Sequence, residues 1–346
     1  MENVNSNSTS DLDETVEFSM RNVVSEYSRC LNDSIVLTIG GTNAQAPVSP
    51  LNYFNCRTRE WTSIDQWKIG PNSLKYFTVS HFPHKRKLFV ISGTEELEVD
   101  TKIRKANQKV TLVDTNTLSQ ESYTRIPKNV IGRISCDVSS DYMIACGGIL
   151  RTSKPTRSIM SHRKRILATS YICNVEKGDW IEAKRMISRR ANGVAANVDG
   201  RVYVVAGSEG AFAMNQVEYY EGSQDRWISV PPLLSRRMHH SALWTNGVLI
   251  VCGGIDRNYT NDDPIHLSTA DFIDPRENHW HTGIEMLKKR SAFGLTEIDG
   301  YPFVIGGFNG LESIADCELF DWRARKWIEM PKLPVAASGL RAVRLT

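Results

Sequence analysis

Short β-rich runs, punctuated by glycine and by Asn–Gly or Asp–Gly pairs, follow one another along the chain with a common plan. Six times such a run ends in a small residue plus glycine: Gly40–Gly41, Ser92–Gly93, Gly147–Gly148, Ala206–Gly207, Gly253–Gly254 and Gly306–Gly307. After each comes an aromatic residue, namely Trp61, Tyr123, Trp180, Trp227, Trp280 and Trp327, so the chain is a repeat array with a unit of roughly 50 residues. From Trp180, Trp227 and Trp280 to the closing glycine of the next pair, Gly207, Gly254 and Gly307, the distance is 27 residues each time, whereas that glycine to the aromatic takes 20, 30, 32, 20, 26 and 20 along the six repeats. The large variation in length therefore falls in one connection. In the fourth repeat, GVAANV, RVYVVAG, QVEYY and the stretch ending in RWISV read as four strands, a to d. Asp199–Gly200, Asn246–Gly247 and Asp299–Gly300 supply positive-φ residues for tight a–b hairpins, and Gly222 is expected to do so after strand c. No window of helix length keeps apolar residues three and four apart without Gly or Pro.

Seven positions before the aromatic stand Phe54, Cys173, Tyr220, Ile273 and Phe320, each non-polar and each ending strand c. The second repeat fits this register with Val113 only if its c–d turn is three residues longer. A recurring large ring on strand d is expected to pack against the next sheet rather than to hold a ligand.

The order strand, Gly–Gly, strand, six-residue turn and Trp resembles the kelch repeat, over about residues 31 to 346. GRVYVVAGSEG…VEYYEGSQDRW and GYPFVIGGFNG…CELFDWRARKW are the clearest copies, and the second repeat lacks both the double glycine and the Trp. The resemblance implies an all-β fold, a six-bladed kelch β-propeller. Expected boundaries are a disordered tail over 1–30, rich in Asn, Ser and acids, and a propeller over 31–346 with blades at 31–66 plus 336–346, 74–126, 132–183, 190–231, 237–284 and 290–331. The segment after Trp327 aligns with a strand a and has no strand b, while the first repeat begins with strand b; the C-terminal strand is expected to complete blade one as its innermost strand and close the ring.

Composition adds little that is specific. The 346 residues are 41% hydrophobic, which suits a packed core, and no apolar run has the length of a membrane span. A net charge of +3 does not call for nucleic acid. Seven cysteines, an odd number without close pairs, point to a reducing compartment, cytosol or nucleus, with Cys146 and Cys252 expected as buried thiols. The start of the chain is neither a signal peptide nor a basic transit sequence.

In an antiparallel four-stranded unit the b–c and d–a connections emerge on the same face, and here both are unusual. The long b–c inserts follow Gly93, Gly148 and Gly254, and the second of them carries Arg151, Lys154, Arg157, Arg163, Lys164 and Arg165 with no acidic residue among them, in the pattern of a solvated loop, an import signal or an anion-binding loop. In the d–a connections, Arg133, Arg190, Arg237 and Arg290 each lie ten residues after the blade aromatic. Guanidinium groups there can hold carboxylates of an acidic or phosphorylated protein segment, or can bond neighbouring backbone carbonyls and staple adjacent blades. The repeats resemble most the kelch domains of BTB-kelch ubiquitin-ligase adaptors. That resemblance implies partner contacts from Arg190, Arg237, Arg290, Ser291 and Ser338, with Asn43, Ser208, Glu209, Phe308 and Asn309 on the other loop set. Those adaptors carry BTB and BACK regions ahead of the propeller, and only 30 residues precede it here; the expected part is substrate recognition by a BTB-less relative, with cullin or BTB machinery engaged indirectly. Some kelch proteins bind actin, and that is the alternative.

Enzymatic readings find no support in motifs. No Asp-box turn, phosphate loop, nucleophile elbow or HExxH sequence occurs. His239, His240, His279 and His281 are the candidate ligands for a copper site of the kelch-type oxidase kind. With the first two on opposite faces of a strand and His279 in an outer turn, no metal site and no cofactor is expected.

Overall fold

A computed structural model describes residues 27, 33–43, 51–64, 67, 77–96, 104–128, 130–150, 165–257 and 263–345. The tail expected over 1–30, apart from Tyr27, and the basic insert from Arg151 to Lys164 lie outside these. The described chain is all-β apart from Tyr27, in a helical position, and short 3-10 turns such as Pro83–Lys85 and Gly222–Gln224.

Among the described residues it forms six four-stranded antiparallel sheets, with strands in order along the chain except in the first; short strands in the b–c connections of the third and fifth belong to a separate three-stranded and a separate two-stranded sheet. In the fourth, Val194–Val198, Arg201–Glu209, Phe212–Glu221 and Arg226–Val230 are strands a to d, close to the limits read from the sequence. The first sheet takes strands b to d from Ile35–Ile39, Leu51–Asn55 and Glu60–Ile64, and its fourth strand is Arg341–Leu345 from the far end of the chain. That strand pairs Ile35 with Leu345 through to Ile39 with Arg341.

Local chemistry accounts for the hairpins. At Asp199–Gly200, Asn246–Gly247 and Asp299–Gly300 both residues have positive φ, the condition for a two-residue turn that follows the strand twist. The c–d turns are built differently from the expectation at Gly222, which is not left-handed. The left-handed residue sits two positions before the register of the blade aromatic: Arg59, Gly178, Asp225, Asn278 and Arg325. In most of these turns an Asx side chain accepts the backbone N–H groups that follow it, as Asn55 does from Arg57 and Thr58 and Asp321 does from Arg323 and Ala324.

The second sheet corrects the register read from the sequence. Its left-handed turn residue is Leu118 and Val113 faces Gln120, so the c–d turn has the common length and Gln120 occupies the aromatic's place. Tyr123 lies three residues further along strand d, packs edge-on to Phe89 and donates its hydroxyl to the Val175 carbonyl of the third sheet.

Elsewhere the aromatics are packing residues, as expected. Phe54–Trp61, Tyr220–Trp227 and Phe320–Trp327 face each other across strands c and d, with ring centroids 5.1 to 5.3 Å apart. Four indoles also tie sheets together: Trp61, Trp227, Trp280 and Trp327 donate Nε1–H to the carbonyls of Pro331, Lys184, Pro231 and Ile284 in the preceding sheet. Phe303 of the sixth sheet packs on Phe54 and Trp61 of the first. Strand b is buried along nearly its whole length, because each sheet is covered on both faces by its neighbours.

Candidate functional site

The three buried arginines are the frame of the b–c and d–a face. Arg190 donates from Nη1 to the carbonyls of Ala206 (2.9 Å) and Gln216 (2.8 Å) and from Nη2 to Glu218 (2.7 Å). Arg237 reaches Gly253, Ser235 and Asp271, and Arg290 reaches Gly306, Asp316 and Glu318 in the same manner. Meanwhile their own carbonyls accept the glycine N–H of the preceding sheet, from Gly148, Gly207 and Gly254. Each arginine therefore holds its own sheet with its side chain and the preceding one with its backbone. Burial pulls Arg190 and Arg237 below the usual guanidinium range while Glu218 and Asp271 pull them back, and burial raises Asp271.

This corrects the assignment of Arg190, Arg237 and Arg290 to partner contact: each is 0% exposed, and its Nη donors meet carbonyls, a carboxylate and, for Arg237, a serine hydroxyl within the chain, while Nε is buried without a partner. The stapling alternative is what their geometry shows. The signal that could have decided this lies in the sequence, since Glu218, Asp271 and Glu318 each stand nine residues before the blade Trp. Arg133 differs. The residue at the acid's register in its sheet is Tyr171, and the guanidinium lies 5.5 Å from that ring's centroid. Its Nη2 donates to the Pro127 carbonyl, Nη1 as well as Nε has no hydrogen-bond partner, and burial without a carboxylate pulls it down to about 10.

In two of the staples the acid also holds the turn above it. Glu218 accepts the N–H groups of Ile187 (2.7 Å) and Ser188 (3.1 Å), and Glu318 those of Leu287 (2.7 Å) and Lys288 (3.0 Å). The three turns read Met-Ile-Ser-Arg-Arg over 186–190, Leu-Leu-Ser-Arg-Arg over 233–237 and Met-Leu-Lys-Lys-Arg over 286–290. First and last residues are buried; the second presents a bare aliphatic tip, Ile187, Leu234 or Leu287, at 61%, 60% and 51% exposure. The fourth is an exposed cation, Arg189, Arg236 or Lys289, with no ion pair among the described residues. Of each basic pair in the sequence, the first residue faces outward and the second is the staple.

The two expected loop sets do meet. The residue after each staple position pairs with the residue after the glycine pair: Ala191 with Ser208, Met238 with Ile255, Ser291 with Phe308, and Ser338 with Thr42. Ser208 and Ser291 are both buried at these pairs, Ser208 at 0% exposure. Glu209 is exposed, and Asn43, Phe308, Asn309 and Ser338 are partly so, although the Asn309 carboxamide oxygen is occupied by the N–H groups of Leu311 and Glu312.

One residue further on runs a belt of backbone hydrogen bonds. The N–H of Asn192 meets the Gly132 carbonyl (3.3 Å), His239 that of Asn192 (3.0 Å), Ala292 that of His239 (2.7 Å), and Gly339 that of Ala292 (2.6 Å). All five residues are left-handed, with φ between 51° and 77°. They border a cavity of about 300 Å³ whose polar lining includes Arg133, His239, His240, Ser291, Ser338 and Arg341 and holds no carboxylate. His239 and His240, expected on opposite faces, both reach it. Burial, with Arg341 and His266 nearby, brings His239 down to about 4, and burial holds His240 well below the usual imidazole value.

Comparison with known proteins fits this construction. The sequence model of the Kelch motif matches residues 189–234 and 289–334. Human Kelch-like protein 11 is 21% identical over 150 residues, 43% of this chain and 20% of that protein. Kelch repeat protein C2 of vaccinia virus (strain Western Reserve) is 23% identical over 171 residues, 49% and 32% of the two chains, and human Kelch-like protein 23 is 21% identical over 211 residues, 49% and 38%. These matches span between a fifth and two fifths of the relatives' lengths. A solved structure described as "Structure of YjhT" superposes with a TM-score of 0.69 at 13% identity, over 87% of this chain and 95% of that one, a likeness of fold. Repeats, sheet construction and relatives agree that the chain is a kelch-repeat protein, related to the Kelch-like proteins.

Proposed function

We propose that the six sheets are the blades of a closed propeller whose b–c and d–a face binds an acidic segment of a protein partner. Support for closure is the pairing of Arg341–Leu345 with Ile35–Ile39, together with the packing of Phe303 on Phe54 and Trp61. The observation that carries the binding reading is the row of turns with a bare aliphatic tip and an unpaired cation two residues later: Ile187 and Arg189, Leu234 and Arg236, Leu287 and Lys289. Aliphatic tips supply contact area and cations supply the sign and steering of the encounter, a combination suited to an acidic segment that also carries apolar side chains. Beside them the carboxylate-free cavity with Arg133 and Arg341 in its wall is a seat for an acidic side chain. In this reading the chain recognises its partner as the substrate-binding part of an adaptor does, and catalysis has no share in it.

The test is charge reversal of Arg189, Arg236 and Lys289 to Glu, compared with reversal of Arg59, Lys177 and Arg323 on the c–d turns. Proteins captured by the wild type and by the c–d variant but lost from the first variant, with melting temperature unchanged, would support the face. Loss in the c–d variant alone, as expected for a filament-binding outer rim, would overturn it.

A further inference from the structure

We propose that the c–d turn of the fifth sheet is a surface site for a borderline divalent metal ion such as Zn²⁺ or Cu²⁺, held by Glu277, His279 and His281. Sequence spacing assigned His279 to an outer turn with no ligand partner. Strand alternation changes that. Trp280 points inward, buried and bonded to the Pro231 carbonyl, so its neighbours His279 and His281 turn to the opposite side. Their ring centroids are 4.1 Å apart. Glu277 comes back over them because the turn is tight: its N–H donates to the Asp274 carbonyl, and Asn278 is left-handed. His281 Nε2 lies 2.7 Å from Glu277 Oε2, His279 Nδ1 lies 3.3 Å from the Glu277 carbonyl oxygen, and one ligand atom from each of the three residues falls within 4.8 Å of the others.

The arrangement is held before any ion arrives. The His281 ring stacks on Phe272 at 5.2 Å and 17°, and the nearest guanidinium, Arg276, is engaged with the Asp274 carboxylate through Nε and Nη2. Two imidazoles and a carboxylate select Zn²⁺, Cu²⁺ or Ni²⁺ over Mg²⁺ and Ca²⁺, which prefer all-oxygen shells. Three protein ligands leave a fourth position for water or for a ligand atom of another molecule. Nothing in the fold demands these residues. The same three positions carry Thr58, Glu60 and Thr62 in the first repeat, Lys177, Asp179 and Ile181 in the third, Gln224, Arg226 and Ile228 in the fourth, and Ala324, Lys326 and Ile328 in the sixth. A surface His–Glu pair alone is worth little, and it would not require a second imidazole against the first.

Titration of the untagged full chain with Zn²⁺ by calorimetry, and with Cu²⁺ by quenching of tryptophan fluorescence, tests the site. The expected result is one equivalent bound, with affinity reduced at least about tenfold by His279→Ala, by His281→Ala and by Glu277→Gln, and no binding of Mg²⁺. Because His281 also stacks on Phe272, His279→Ala and Glu277→Gln, which leave the packing alone, decide the matter if His281→Ala lowers the metal-free melting temperature. Absence of binding at millimolar ion, or one equivalent bound equally well by the His279→Ala chain, overturns the proposal.

Discussion

Replacing Arg290 with Met asks whether the buried arginines are structure or recognition. Methionine keeps the apolar stem and removes the donors to the carbonyls of Gly306 and Asp316 and to Glu318. What remains is a carboxylate, 1% exposed, holding only the N–H groups of Leu287 and Lys288, a Gly306 carbonyl without its guanidinium donor, and an Asp316 carbonyl that keeps the Gly306 N–H. Leaving one half of a buried pair costs about 3–5 kcal/mol. The lost carbonyl contacts belong to the same loss, so about 4 kcal/mol is the expected total, roughly a thousandfold in the unfolding equilibrium. In urea the midpoint should fall by on the order of 1 M. The double change Arg290→Met, Glu318→Leu should cost less than the sum of the single ones by about 1–3 kcal/mol, because it removes the stranded charge. Arg133, which has Tyr171 in place of an acid, should cost less than Arg290 when changed the same way. Arg189→Met, on the surface, should move stability by about 0.5 kcal/mol at most. An Arg290→Met chain that melts like the wild type yet loses its partners would refute the staple and return Arg290 to the contact surface.

Three further outcomes follow from the same coordinates. Gly307→Ala should destabilise by about 2–4 kcal/mol, since at φ +110° the new Cβ would stand 2.8 Å from Phe293 Cβ and 2.9 Å from the Ser291 carbonyl oxygen, whereas Gly200→Ala meets open space and should cost about 1 kcal/mol; thermal melts compare them. Deleting residues 341–346 strips the innermost strand from the first sheet and should abolish the cooperative urea transition; a shortened chain with a native-like melt would contradict the pairing of the two ends. His81 and His239 are held at about 4 by burial, below the unfolded value of about 6.5, so the unfolded chain takes up protons first as pH falls. Their contribution should be intact above pH 6.5 and lost progressively toward pH 4, a slope that His81→Asn and His239→Asn together should flatten in urea melts at several pH values.

Glycine pairs, Asp–Gly hairpins and the spacing of Trp were enough to place the strands of the fourth and sixth repeats, because turn chemistry and strand alternation are local. The second repeat was misread where the evidence was a single ring: Tyr123 is aromatic and is ten residues before Arg133, yet Gln120 holds the register and Tyr123 serves the neighbouring sheet. For the proposed site, the sequence does not separate surface cations from buried ones. A basic pair such as Arg189–Arg190 does not say which member turns inward. That is decided by Glu218, 28 residues away along the chain but in contact across the sheet. The grouping of Glu277, His279 and His281 is illegible for a related reason: it depends on the tightness of the turn, which folds the carboxylate back over the strand.

The belt from Gly132 through Asn192, His239 and Ala292 to Gly339 decides what a ligand in the adjoining cavity can read. Four amide protons of the kind that make an anion cradle are already given to neighbouring carbonyls, so these N–H groups are silent toward a guest. Recognition passes to side chains, and at three of the five positions there is a bare glycine or a methyl group. Asn192 and His239 are thus the two belt positions that add a reading side chain to the arginines of the wall, and exchanging them should tune what the cavity accepts while the hydrogen-bonded belt beneath stays as it is.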